Sequence, residues 1–162
     1  MFGFKKLTGI NGFDYYNLNS AIQNDFAWSM AELNDYIYVG TGRNLFSSTI
    51  TNVLPDVITK LPLIVDDKFR RNNFAEIWRY KKDHSLPWMK VYKSSRNNGS
   101  NGFNTMITHK PVSASPAIYA AGTGEKLTIV KSLNGIRWLT VDTSNIECTI
   151  CKSMISLIGL LY

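Results

Sequence analysis

Short hydrophobic runs, each long enough for one β-strand, alternate along this chain with clusters of polar turn residues. The runs are rich in Tyr, Phe, Trp, Val, Ile and Thr, which favour β-structure, and Gly, Asn, Asp, Ser and Pro bound them. Only the segment 44–74 departs from this pattern, because its apolar residues recur at helical spacing on both sides of Pro55. The pattern predicts an all-β protein with one short helical insertion.

The order of the hydrophobic runs is repeated. In WSMAELNDYIY (28–38) a Tyr follows the Met by eight residues, and KSMISLIGLLY (152–162) has the same spacing. NTMITHKPVSASPAIY (104–119) lies between them with five additional residues before its Tyr. The first two copies each continue into a basic run and a Trp-containing run. The chain therefore contains a four-strand unit twice and the beginning of a third copy.

Four short antiparallel strands per unit are typical of one blade of a β-propeller. We therefore predict a single partial propeller domain over 1–162. Blade one would span 26–94 and carry the insertion 44–74, and blade two would span 103–144. The segment 151–162 would begin blade three. An incomplete ring leaves apolar faces and an open strand edge, so we expect self-association through these edges.

Three motifs resemble those of uncharacterised bacterial β-propeller proteins of the kelch and Asp-box kind: WSMAELNDYIYVGTGRN, AEIWRYKKD and SLNGIRW. The resemblance covers about residues 24–144 and part of 151–162. It implies the architecture and says little about chemistry. Because such proteins have six or seven blades, it also implies a chain truncated after about two and a half blades, and a non-functional truncated gene product is one alternative.

The motif SLNGIRW (132–138) is similar to an Asp-box in which Asn134 replaces the Asp. Such boxes close hairpins, so we expect a structural role for Asn134 and Gly135, and LNDY (33–36) predicts another hairpin turn. Sialidases share Asp-boxes, so a fragment of a propeller glycoside hydrolase or lyase is a further alternative. Its arginine cluster and paired carboxylates cannot be assembled from this sequence, so we name no catalytic residues.

The candidate ligand-binding residues are those expected to reach a central channel. They are Trp28 and Glu32 on the first strand, and Arg43 and Asn44 after the GTG turn. An aromatic ring together with a carboxylate and a guanidinium suits the recognition of a sugar or a carboxylate. We therefore predict a binding or interaction module whose candidate ligand is a carbohydrate. The alternative is that Glu32 and Arg43 form an exposed ion pair without a ligand.

The charge distribution adds one further possibility. The chain has 18 Lys and Arg against 12 Asp and Glu, a net charge of +6, and segment 60–96 holds ten of the basic and four of the acidic residues. A local basic patch can attract nucleic acid. Because no nucleic-acid-binding motif accompanies it, we expect no nucleic-acid partner.

Cysteine and histidine residues give no metal or cofactor site in this sequence. Cys148 and Cys151 form a lone CxxC, and neither His84 nor His109 lies at a spacing that would complete a zinc site. We therefore expect neither metal nor cofactor.

The two ends of the sequence predict no signal peptide and no membrane span. No hydrophobic run follows the basic N-terminus, so we expect no signal peptide and a cytoplasmic product, or a secreted one if the true start lies upstream. The apolar stretch 154–162 has nine residues, whereas a membrane span needs about 20.

Overall fold

A computed structural model describes residues 5–8, 12–44, 73–95, 99–124 and 126–162. Within this part of the chain, the fold consists of ten strands and one short helix. The bounds are α1 Leu18–Ala21, β1 Asn24–Leu33, β2 Tyr36–Arg43, β3 Glu76–Lys81, β4 Met89–Lys93, β5 Gly102–His109, β6 Ala117–Thr123, β7 Thr128–Ser132, β8 Leu139–Val141, β9 Ser156–Leu157 and β10 Leu160–Leu161. The predicted all-β class is confirmed. The predicted helical insertion lies almost wholly within 45–72, outside the described residues.

The strands β1–β4 form one antiparallel meander and the strands β5–β8 form a second. We call these the first unit and the second unit. Consecutive strands pair within each unit because short polar turns join them. The two units are connected in one eight-stranded sheet, in the order β4-β3-β2-β5-β6-β7-β8, with β1 pairing β2 beside this path.

The prediction of separate propeller blades is wrong. The strands of the main path form a single antiparallel sheet curled into a half-barrel. The reason lies at the end of β2, where β3 pairs with β2 only as far as Gly40. The beginning of β5 pairs with β2 beyond that point, through Gly42 and Gly102, and the Arg43 N–H donates to the Asn101 carbonyl at 2.8 Å. The sequence pattern indicates pairing within a unit but carries no signal for this pairing between units.

The hydrophobic core also belongs to both units. Tyr92 of the first unit and Phe103 of the second contact each other edge to face, with ring centroids 5.7 Å apart. Burying one such side chain contributes about 1.5–3 kcal/mol, so the shared core stabilises both units together. Its buried members are Leu33, Tyr38, Ala75, Ile77, Phe103, Met106, Ile118, Ala120 and Val130.

The Asn134 turn has the structural role that the sequence predicts. The Oδ1 atom of Asn134 accepts hydrogen bonds from the backbone N–H groups of Ile136 and Arg137, both at 2.9 Å. Gly135 has φ +70° and lies against the ring of Tyr38, so the turn of the second unit folds over the first unit. This connection between β7 and β8 has six residues rather than the two of a minimal hairpin.

The C-terminal segment 151–162 forms the small hairpin β9–β10, which lies outside the main sheet. It packs along β5 through polar contacts, one of which is the hydrogen bond from the Asn104 side-chain amide to the Cys151 carbonyl. The Thr105 hydroxyl donates to the Cys151 carbonyl at 2.9 Å, and His109 Nδ1 lies 2.8 Å from the Ser156 hydroxyl. The tail thus stands beside the first strand of the second unit.

Candidate ligand-binding cleft

The four predicted ligand-binding residues do not form one site. Glu32 lies on the exposed end of the β1–β2 hairpin, where its carboxylate pairs with Lys82 at 2.8 Å. Arg43 lies at the opposite end of the same hairpin, because the strand register places it across from Asn24. Trp28 lies between them on β1, with its ring over Gly102. The structure therefore separates the carboxylate from the guanidinium.

Asn44 directly follows β2 and bonds to the segments that precede β1 and β3. Its side-chain amide donates to Asn73 Oδ1 at 2.5 Å, and its backbone N–H donates to the Gln23 carbonyl at 3.1 Å. Its φ of +47° is an uncommon conformation that asparagine adopts more readily than most residues. These contacts give Asn44 a role in shaping the end of the strand.

A buried network of charges surrounds Glu76, at the start of β3. The Glu76 carboxylate accepts from Arg43 Nη1 at 3.0 Å and from Trp78 Nε1 at 3.0 Å. The ammonium groups of Lys90 and Lys93 lie 3.1 and 3.5 Å from its other oxygen. Arg43 and Glu76 are both completely buried, and each charge stabilises the other.

The electrostatics of this network keep Glu76 ionised. Burial by itself raises the pKa of Glu76, but the nearby charges of Arg43 and Lys90 outweigh burial, so its pKa lies below the usual value. Burial lowers the pKa of Arg43, and the Glu76 carboxylate opposes this change. A carboxylate held in this way is a structural anion and is poorly suited to donate a proton as a general acid.

The described residues form an aromatic cleft of about 400 Å³ beside this network. It lies between the N-terminal segment and the β3–β4 hairpin. Its volume falls within the range of about 300–1,000 Å³ that is typical of small-molecule sites. The lining residues are Leu7, Phe13, Asp14, Tyr15, Tyr16, Trp78, Tyr80, His84, Ser85, Leu86, Pro87 and Trp88. We call this feature the aromatic cleft.

The inner wall of the aromatic cleft is a set of rings that hold one another in place. Trp88 stacks on Tyr80 with centroids 5.0 Å apart, and Phe13 contacts the Trp88 ring edge-on at 4.7 Å. The Trp88 Nε1–H donates to the Leu7 carbonyl at 2.8 Å, which fastens the N-terminal segment to the hairpin. These contacts fix the positions of Phe13, Tyr80 and Trp88 relative to one another.

The outer rim of the aromatic cleft combines exposed rings with polar groups. Tyr15 is 65% exposed and Tyr16 is 88% exposed, and the two rings meet edge to face. His84 is also exposed, and its Nδ1 lies 3.1 Å from the Tyr80 hydroxyl, a contact that orients the imidazole. Its φ of +62° is uncommon outside glycine. The Ser85 side chain completes this rim.

The charged groups at the aromatic cleft compensate each other. The Lys90 ammonium lies 3.5 Å from Asp14 and 3.1 Å from Glu76, and it also stands 5.1 Å from the centroid of the Trp78 ring. Lys90 thereby makes a cation–π contact with Trp78, one of the rings that line the cleft. Because Asp14 already has a counter-ion, the cleft suits an uncharged ligand.

Reasoning from the sequence missed this cleft, although one signal was present. Trp78 and Tyr80 lie two positions apart on one strand, so both side chains project from the same face of the sheet, and Trp88 lies on the return arm of that hairpin. The contribution of Phe13, Tyr15 and Tyr16 had no such signal, because their segment follows no strand or helix period.

The remaining sequence candidates form neither a metal site nor a basic patch in the described part of the chain. Cys148 and Cys151 are free thiols, and no cluster of metal-binding side chains occurs among the described residues. Of the basic segment 60–96, the structure describes five cations, and each of them contacts a carboxylate or an aromatic ring. They are Arg79, Lys81, Lys82, Lys90 and Lys93.

Comparison of the chain with models of known protein families gives no match, and neither curated proteins nor solved structures match it at significant similarity. Among the described residues, no helix has the length and apolar character needed to cross a membrane. The function is therefore inferred from the geometry of the site.

Proposed function

We propose that this protein is a binding module that holds an uncharged carbohydrate in the aromatic cleft. The observation that supports this proposal is the combination of exposed rings with a polar rim and compensated charge. A sugar presents apolar C–H faces that pack against rings, and hydroxyl groups that bond to polar side chains. Tyr15 and Tyr16 supply the exposed rings, and His84 and Ser85 supply polar groups.

The preformed inner wall favours binding. Because Phe13, Tyr80 and Trp88 already contact one another, a ligand does not have to order them. Hydrolysis of a glycoside would require a carboxylic acid that holds a proton beside the ligand. Asp14, a carboxylate that lines the cleft, lies 3.5 Å from the Lys90 ammonium, and the neighbouring Glu76 is held ionised by its cations. Binding is therefore better supported than catalysis.

A panel of neutral oligosaccharides tests the proposal. The chain is screened against linear glucans, mannans and galactans, and the strongest ligand is titrated by tryptophan fluorescence and calorimetry. Truncation of an exposed ring in the cleft, Tyr15→Ala or Tyr16→Ala, is expected to weaken binding about tenfold, equivalent to about 1.4 kcal/mol. Leu133→Ala truncates an apolar side chain of similar exposure, 66%, on the Asn134 turn, outside the cleft, and is the matched control.

The salt dependence separates this ligand class from a polyanion. Affinity for an uncharged sugar should stay constant as salt is raised, whereas nucleic-acid binding weakens steeply. Retention of no neutral glycan, or binding that Tyr15→Ala and Tyr16→Ala leave unchanged, would contradict the proposal.

A further inference from the structure

The contact between successive units is repeated within the chain at equivalent positions. The residue before the first methionine of a unit, Ser29, donates its hydroxyl to the Phe103 carbonyl at 2.7 Å. The equivalent residue of the second unit, Thr105, donates to the Cys151 carbonyl at 2.9 Å. Phe103 and Cys151 are themselves equivalent, since each lies three residues before the next methionine, Met106 or Met154. One hydrogen bond is thus made twice, each time from a unit to the one that follows.

The local backbone supports the same equivalence. A β-bulge interrupts β1 between Ala27 and Ser29, and another interrupts β5 between Phe103 and Thr105, two residues before the methionine in each case. A bulge re-aims the neighbouring side chains. It therefore presents the hydroxyl group of each strand in the same way.

Two apolar surfaces of this series are exposed in the described part of the chain. Met30 on β1 is 61% exposed, whereas its equivalent Met106 is 9% exposed, within the shared core. Phe26 and Trp28 extend the exposed apolar stripe along β1. At the other end, the tail hairpin exposes a second apolar set. Its members are Ile155, Leu157, Ile158, Leu160 and Tyr162.

We propose that these two surfaces bind each other between copies of the chain. The tail hairpin of one copy would pack against β1 of a second copy, with the tail as the donor, as β1 donates to β5 and β5 donates to the tail within one copy. Ser153 stands before Met154 as Ser29 and Thr105 stand before theirs, and Ala27 is exposed at the position equivalent to Phe103. The Ser153 hydroxyl of one copy therefore donates to the Ala27 carbonyl of the next. We assign the exposed stripe on β1 to a second copy because the tail carries, at Ser153, the donor position that Ser29 and Thr105 use between units within one copy.

The predicted interface is heterologous, because two different surfaces of the chain meet. Sedimentation velocity and light scattering should show an average mass that increases with protein concentration. Substitution of either surface, by Met30→Lys on β1 or Leu160→Asp on the tail, should reduce the mass to that of a monomer. Leu133→Lys changes an exposed leucine of the Asn134 turn and should leave association unchanged.

Mixing the two variants gives the decisive result. The Met30→Lys chain keeps a working tail, and the Leu160→Asp chain keeps a working β1, so the mixture can form one interface. We expect a capped heterodimer with twice the mass of either variant alone. Circular dichroism first establishes that both variants are folded. A wild-type chain that stays monomeric at all concentrations, a mixture that stays monomeric, or association that survives either substitution would overturn the proposal.

Discussion

Replacing Glu76 with Gln tests the buried charge network directly. The substitution preserves size and one acceptor oxygen but removes the negative charge. Arg43 is completely buried 3.0 Å away, and Lys90 and Lys93 approach the same carboxylate. Without that charge, a guanidinium is left in the protein interior without its counter-ion, and the new amide hydrogens face cations.

The expected loss is large. Removal of one partner from a buried ion pair costs about 3–5 kcal/mol. With an m value of about 2 kcal/mol/M, this loss lowers the urea midpoint by about 2 M. The assay is urea unfolding followed by tryptophan fluorescence at neutral pH. Glu32→Gln is the matched control, because its pair with Lys82 is exposed and such pairs contribute about 0–1 kcal/mol.

The pH dependence supplies a second measurement on the same pair of proteins. The pKa of Glu76 is lowered on folding, so its contribution to stability is fully present above the unfolded value, about 4.3. That contribution is lost as pH falls through the folded pKa. The stability difference between the wild-type protein and Glu76→Gln should therefore shrink in acid. A Glu76→Gln protein that loses no more than Glu32→Gln at neutral pH would refute the reasoning.

Two further predictions concern the Asn134 turn. Gly135→Ala should lower the urea midpoint sharply, because the added Cβ would lie 1.6 Å from the Tyr38 hydroxyl at φ +70°; Gly99→Ala, at φ +60° with open space around it, isolates the backbone strain and should cost less. Equal losses in the two variants would disprove the close packing. Asn134→Ala should cost about 1 kcal/mol by removing the acceptor of two backbone amides, whereas Asn134→Asp should retain it. If Asn134→Asp lowers the thermal unfolding temperature as much as Asn134→Ala does, the result would contradict this role.

The part of the fold that could be predicted is the part determined by neighbours in sequence. Alternation of apolar residues and the turn chemistry of Asn34 and Asn134 indicate where strands begin and reverse. The pairing of Gly42 with Gly102 joins residues far apart in sequence and depends on where β3 begins. No local pattern encodes that position, so the units were predicted as separate sheets.

The candidate site was harder to predict for a related reason. Trp28, Glu32 and Arg43 are close in sequence. In the β1–β2 hairpin, however, Glu32 lies near the turn and Arg43 lies at the opposite end, across from Asn24. In the aromatic cleft, by contrast, Phe13, which precedes β1, contacts Trp88, which directly precedes β4. Such a contact appears only when the N-terminal segment folds back on the hairpin.

Among the described residues, one ladder pair, Gly42 with Gly102, joins the two units in the main sheet, and this has a consequence for biosynthesis. The ladder pairs that join β1 to β2, β2 to β3 and β3 to β4 all lie within residues 24–93, so they can form before the ribosome has completed the second unit. If the first unit forms first, Tyr38 and Ile77 lack Phe103, a member of their core cluster, until the second unit has folded. Arrested nascent chains from which residues 1–100 have emerged should therefore bind chaperones that recognise exposed apolar surface, and release them once β5 and β6 emerge.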